Sequence, residues 1–304
     1  MLTAGLKQSE WHTWVAFFAF CLLLSSSWLL PVAPTDESPI AQQACFYGAI
    51  GLLASAPSCK RLWSRVKRGE IVGLLRAAVV SIILLGVPAV LGEWASGGIS
   101  DISRAALFAL VPFVVVVVAA ARESESGVRR FSVPALIGFG GVLLLLPFSF
   151  PTSPRGQIIF GVLLLVVALV GFSSEGIYRL LRGFGMIEAL AVVALSNAVF
   201  FIACHFVSLP SAESWSGVAS LLSIHSLYNL VELLLLVWLL REMSPVRLAA
   251  RYLVVPLFTV LEGVAILRPA PTVRMGAGLV LLVFGAGCIL FSRGGDPDAV
   301  LSIR

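Results

Sequence analysis

Few residues in this chain could do chemistry, and four of them share one short stretch. "SIHSLYNLVELLLLVWLL", Ser223 to Leu240, reads as an apolar helix interrupted by His225, Tyr228, Asn229 and Glu232. At about 100° per residue, Asn229 falls near +40° from His225, Glu232 near −20° and Tyr228 near −60°. All four therefore share one face, and the other faces are Leu, Val and Trp. Glu232 sits within roughly 5 Å of the middle of the apolar run, at about 1.5 Å of rise per residue. A carboxylate there costs on the order of 3 kcal/mol if the helix simply faces lipid. Such a stripe points the helix at a bundle interior or a wet cavity. The residues leave two readings. The stripe lines a substrate cavity, with Glu232 holding a cation or taking up a proton. Or it makes interhelical hydrogen bonds, each worth about 0.6 kcal/mol.

Other polar groups are scattered. Glu262 follows Pro256 by six residues in "VPLFTVLEGVAIL". It reads either as a polar site beside an opened backbone or as a carboxylate reaching for the interface. Asn197 is central in its apolar run and reads as packing or cavity lining. Arg76 lies one turn inside a run and snorkels; Glu188 lies near a run end and is expected to be solvated. Glu188 with His205 is the one acid–base pair an intramembrane lipid-modifying enzyme could use. They are 17 residues apart, on different turns and about 100° apart around a helix. There is no P-loop, Rossmann glycine pattern, HExxH or G-x-S-x-G. His12, His205 and His225 lack metal-ligand spacing. Cys21, Cys45, Cys59, Cys204 and Cys288 have no CxxC spacing and read as small packing residues. Neither cofactor nor metal is expected, and no enzymatic activity.

These residues must be positioned by membrane helices. The chain has 304 residues, 59% hydrophobic and 12% charged, about half the charge of an ordinary soluble domain. Runs of about 20 apolar residues cross a bilayer. Ten such runs are predicted, over 13–31, 40–57, 71–92, 103–121, 133–150, 156–174, 186–208, 218–240, 247–267 and 273–292. The first is longer than a typical signal-peptide core and lacks an A-x-A site, so it is expected to be retained. Pro88, Pro112, Pro147 and Pro256 fall inside runs, where neighbouring helices can satisfy the freed carbonyls.

Ten spans put both termini on one side. With the termini inside, 17 of the 21 Lys and Arg residues lie inside; only Arg104, Arg155, Arg268 and Arg274 lie outside. That bias predicts cytoplasmic termini in a multi-pass cell (inner) membrane protein. It also explains "KRLWSRVKRG", Lys60 to Gly69, as a topology signal with lipid headgroup contact. No nucleic-acid partner is expected; the bilayer, a small solute and protons are.

The chain divides near residue 153 into two five-helix halves, 1–152 and 153–304. An odd number of spans inserts them in opposite orientation, the inverted-repeat plan of many carriers. "SRAALFALVPFVVVVVAAARESESGVRRFSVPALIGFGGVLLLL" and "VRLAARYLVVPLFTVLEGVAILRPAPTVRMGAGLVLLVFGAGCILF" share landmarks. Each has an Arg and small residues, a mid-helix proline, a polar break with Arg, and a Gly-rich closing helix. Pro112 to Gly141 and Pro256 to Gly285 are both 29 residues.

A proline-bearing helix, a short turn and a "G…G" helix, occurring twice in a ten-span chain, resembles the drug/metabolite transporter superfamily, EamA type. "SSSW", Ser25 to Trp28, is a looser echo of that family's start. The family commonly carries "GE" after each proline-bearing helix. Here the first position offers "ARES" with Glu123, and the second "LRPAPT" with Arg268. The resemblance implies an all-α membrane protein that exports a small metabolite, such as an amino acid, by alternating access. The expected cavity then comprises Glu232, Asn229, His225, Tyr228, Glu262 and Asn197, with Pro112 and Pro256 as helix-break prolines. A degenerate, non-transporting carrier and the lipid enzyme are the competing readings.

Overall fold

A computed structural model describes residues 2–29, 39–95, 98–123, 125–146, 148–208, 224–268 and 272–291. Among these there are thirteen α-helices and no strand. In order they are α1 (Leu2–Ser26), α2 (Pro39–Lys67), α3 (Ile71–Ser81), α4 (Val87–Ala95), α5 (Asp101–Phe108), α6 (Val111–Glu123) and α7 (Glu125–Leu145). Then follow α8 (Pro154–Leu181), α9 (Met186–Ser208), α10 (Ile224–Glu242), α11 (Pro245–Ala249), α12 (Arg251–Leu267) and α13 (Val273–Phe291). Six helical stretches are long and apolar enough to cross a membrane: Ile71–Ala95, Ile102–Ala119, Pro154–Leu181, Met186–Val207, Pro245–Leu267 and Val273–Phe291. The chain is an all-α, multi-pass membrane protein.

The helices overlie the apolar runs, with informative differences. α2 continues ten residues past the expected end at 57 and carries Pro57 inside it. The added turns hold Lys60, Arg61 and Arg65, so they extend beyond the apolar run as a polar helix. The Pro147 and 218–223 positions lie outside the described residues.

Three of the prolines reshape the backbone. Proline lacks an amide and clashes with the carbonyl four residues back. Four residues before Pro88 is Leu84, inside a π turn (Ile82–Gly86) that joins α3 to α4. Four before Pro112 is Phe108, where α5 ends. Four before Pro256 is Tyr252, next to the break at Ala250 between α11 and α12. Phe108 and Tyr252 stack on each other, centroids 6.1 Å apart and planes 23° apart.

Close helix contacts rest on glycine. α7 and α13 run together antiparallel. A Cβ on Gly285 would lie 2.5 Å from Gly138 Cα, and one on Gly141 would lie 2.7 Å from Leu282 N. α2 and α9 form the other intimate pair; a Cβ on Gly51 would lie 2.8 Å from a Leu195 methyl. Small residues let backbones approach where lipid supplies no hydrophobic drive between helices. α1 packs on α10 and α12, and α8 packs on α3 and α6.

One end of the bundle is basic. There Arg65 ties α2 to the α8–α9 turn: its Nε is 3.3 Å from Glu188, its Nη2 donates to Gly183 O at 2.5 Å, and its guanidinium lies over Phe184 at 4.6 Å. Glu188 is therefore buried and paired, not solvated as expected. At the far end Arg104 donates to Gly92 O at 2.6 Å and Arg274 to Leu144 O at 2.7 Å.

The α7–α13 contact gives a direct check. Gly285→Leu should destabilise the protein by about 1–3 kcal/mol or block its folding, because the added atoms meet backbone. Gly140→Ala, which faces open space, should leave the thermal midpoint in detergent within a degree or two.

Candidate functional site

The polar stripe of α10 faces α1 and α12. On α10 the lipid face is marked by the exposed Leu227, Val231 and Leu234. The opposite face carries the buried Leu233, Leu236, Val237 and Leu240. At about 100° per residue, Glu232 lies roughly 40° from Leu236 and about 100° from Val231, so it points inward.

Exposure along that inward face is graded. His225, at the far end, is exposed; Asn229 and Glu232 are half-buried; Leu236, Leu240 and Met243, toward the basic end, are buried. α12 repeats the gradient. Arg251, Leu253 and Val254 are buried at its basic end, Phe258 and Glu262 are half-buried, and Ile266 and Leu267 are exposed. A crevice open at the far end, with Glu232 near its floor, would give this gradient.

Three groups of the expected site come together. The Tyr228 hydroxyl is buried and lies within electrostatic reach of both Glu232 and Glu262, beside Ser26. Glu262 on α12 accepts a 2.6 Å hydrogen bond from the buried Ser25 hydroxyl of α1. Glu232 in turn is within electrostatic reach of Arg251 and of Tyr47 on α2. Tyr47 is held by stacking on Phe201, centroids 5.5 Å apart. Two carboxylates, a tyrosine and a serine thus come together among α1, α10 and α12. A carboxylate that is neither ion-paired nor at the surface can exchange a proton or meet a cationic group.

Two expected residues sit elsewhere. His225 is on the same face as Glu232 but two turns away, at the exposed far end. Asn197 is fully buried in the α9–α3 seam. Its Nδ2 donates to Val193 O at 2.8 Å and Ser81 Oγ at 3.3 Å, and Ser81 bonds Ser196 at 2.7 Å. Asn197 Oδ1 also presses on Gly86 in the π turn, 2.9 Å from where a Cβ would stand. It packs the helix seam and lines no open space. Glu188 and His205 lie at opposite ends of α9, about 25 Å apart at 1.5 Å per residue, so they form no acid–base pair.

Sequence reasoning missed Arg251, Tyr47 and Ser25. Arg251 reads as one more basic residue beside a loop, and Tyr47 as one aromatic among many. Ser25 stands in "SSSW", but nothing in that string points to Glu262.

Comparison with known proteins is informative only for the fold. No protein-family model matches the sequence, and no curated protein matches it. Solved structures do match. One, described only as "Crystal structure of protein", aligns with a TM-score of 0.68 at 17% identity, over 92% of this chain and 98% of that one. At that identity the likeness shows a shared fold alone.

The gradient on α10 is testable by labelling. In a cysteine-free background, Asn229→Cys should react with a water-soluble thiol reagent at least ten times faster than Leu236→Cys. Equal rates, measured by mass shift over time, would remove the crevice.

Proposed function

We propose that this chain is a secondary carrier of the drug/metabolite transporter type. It has ten spans in two inverted halves, 1–152 and 153–304, and moves a small metabolite by alternating access. The observation that carries the reading is Glu232, a half-buried carboxylate on the inward face of α10 with no ion pair among the described residues. A half-buried carboxylate in a graded opening between helices is what a solute path requires and what dry packing avoids.

The repeat has its own support in a constant spacing. Pro112 and Pro256, like Gly141 and Gly285, are 144 positions apart. Phe108 and Tyr252 have that same spacing, and they stack on each other. So do Gly51 and Leu195, which touch. Gly138–Gly285 and Leu282–Gly141 are two contacts that exchange under the same shift. Residues equivalent by the repeat meeting each other is what a pseudo-two-fold axis between the halves produces. The helix contacts exchange as well: α1 on α10 and α12 mirrors α8 on α3 and α6. Inverted halves of this kind carry solute by rocking about a midplane site.

The orientation follows from the charges. The basic end, with Arg61, Arg65, Arg179, Arg182, Arg241 and Arg247, is read as cytoplasmic. The described conformation is then open outward and closed inward, below Glu232. Coupling to protons through Glu232 is the form of this reading that a single substitution can test. The substrate remains a small metabolite, and the bilayer is the one standing partner.

Purified protein in proteoliposomes, screened for uptake and efflux against a metabolite panel with and without a pH gradient, tests the reading. The parent should move at least one solute and respond to the gradient. Glu232→Gln should lose the response to the gradient and slow net flux tenfold or more. A pH response unchanged in Glu232→Gln would eliminate the proton role, and no flux of any solute would favour a degenerate carrier.

A further inference from the structure

We infer that Arg251 anchors the carboxylate of a small monoanionic solute, in a pocket at the basic end of the bundle. The inference rests on the carrier reading, because it names the solute chemistry for the same path.

Arg251 opens α12 directly after the break at Ala250, and it is only 8% exposed. Its guanidinium has no carboxylate within ion-pair distance among the described residues. Its Nη2 donates to the Tyr252 hydroxyl at 2.9 Å. The faces of Tyr252 and Phe20 lie 4.8 and 5.8 Å from its central carbon. Its Nη1 is buried and has no hydrogen-bond partner. A buried, fully charged group with an idle donor is costly, and such groups are normally paired. Arg65, by contrast, is answered by Glu188 and Glu70.

The guanidinium also lines a pocket. The walls include the hydroxyl-bearing Ser174 and Tyr178 of α8 and Tyr252 of α12, with Leu240 of α10, Met243 just after it and Leu248 of α11. The free volume is about 10 Å³, room for about one water. α11 is a five-residue helix between two breaks, so a solute larger than a water needs α11 to move outward. A carboxylate then meets the planar fork of one arginine with hydroxyl donors around it, the geometry that favours arginine over lysine. Charge sets the limit. One cation with Glu232 within electrostatic reach suits a monoanion and disfavours sulfate or phosphate dianions. Arg251 lies on the basic-end side of Glu232, where the helix faces are buried.

The test uses full-length protein in nanodiscs of purely zwitterionic lipid, which removes anionic headgroups as competitors. Acetate, lactate and benzoate, as sodium salts, are titrated against thermal unfolding. Choline chloride, sodium chloride and sodium sulfate at matched ionic strength are the controls. At least one carboxylate should raise the parent's midpoint above the controls. Arg251→Gln should abolish that shift, Arg251→Lys should weaken the apparent affinity tenfold or more, and Arg247→Gln should leave it unchanged. If Arg251→Gln does not fold, Arg251→Lys and Tyr252→Phe carry the test: weakened carboxylate responses support the site and full responses overturn it. Parent protein that responds to no carboxylate, or as strongly to sulfate or choline, overturns it too. Carboxylate binding without uptake of any solute would leave this site standing and defeat the carrier reading. Uptake of some solute without carboxylate binding would do the reverse.

Discussion

A bilayer core offers no hydrogen bonds, and every polar group inside it must be answered by the protein. That constraint orders this structure. Each proline that opens a helix does so where another helix is close by. The π turn before Pro88 meets Asn197 of α9, and the breaks near Pro112 and Pro256 meet face to face through Phe108 and Tyr252. Buried serines are answered by carbonyls or by one another. Glu262 is answered by Ser25 and Glu188 by Arg65. Among the described residues Glu232 has no ion pair, and Arg251 keeps one buried donor without a hydrogen bond.

The helices were legible because membrane helices announce themselves: about 20 apolar residues in a row leave little else to be. The positions of trouble were legible for the same reason. Pro88, Pro112 and Pro256 stand out against Val and Leu, and the structure bends near each one. What the sequence left open was which way a group points relative to helices far away in the chain. Glu262 could have reached for the interface; instead it meets Ser25, 237 positions earlier. Asn197 and Glu232 look alike in sequence, each a lone polar residue in an apolar run. One is held in the α9–α3 seam by Ser81, and the other is half-buried on the inward face of α10. Helical periodicity fixes a face but not what lies across from it.

Arg251 shows the cost of a good rule. The excess of Lys and Arg on one side of a membrane explains most basic residues so well that it hides one with a separate role. Its neighbours Arg241 and Arg247 fit the rule, and Arg251 follows Arg247 by a single helical turn. Only burial separates it from them. The repeat is the converse case: a modest sequence signal, two prolines and two glycines in step, gains weight because residues at the same spacing touch.

The central claim is that two related halves rock about the crevice that holds Glu232. Spin labels on counterpart helices test it most directly, with one pair at Trp94 and His225 of the far end and one at Val72 and Glu242 of the basic end. The account predicts that adding a transported solute shifts the two distance distributions in opposite directions, one end closing as the other opens. Two single distances that stay fixed at both ends, with solute bound, would contradict it.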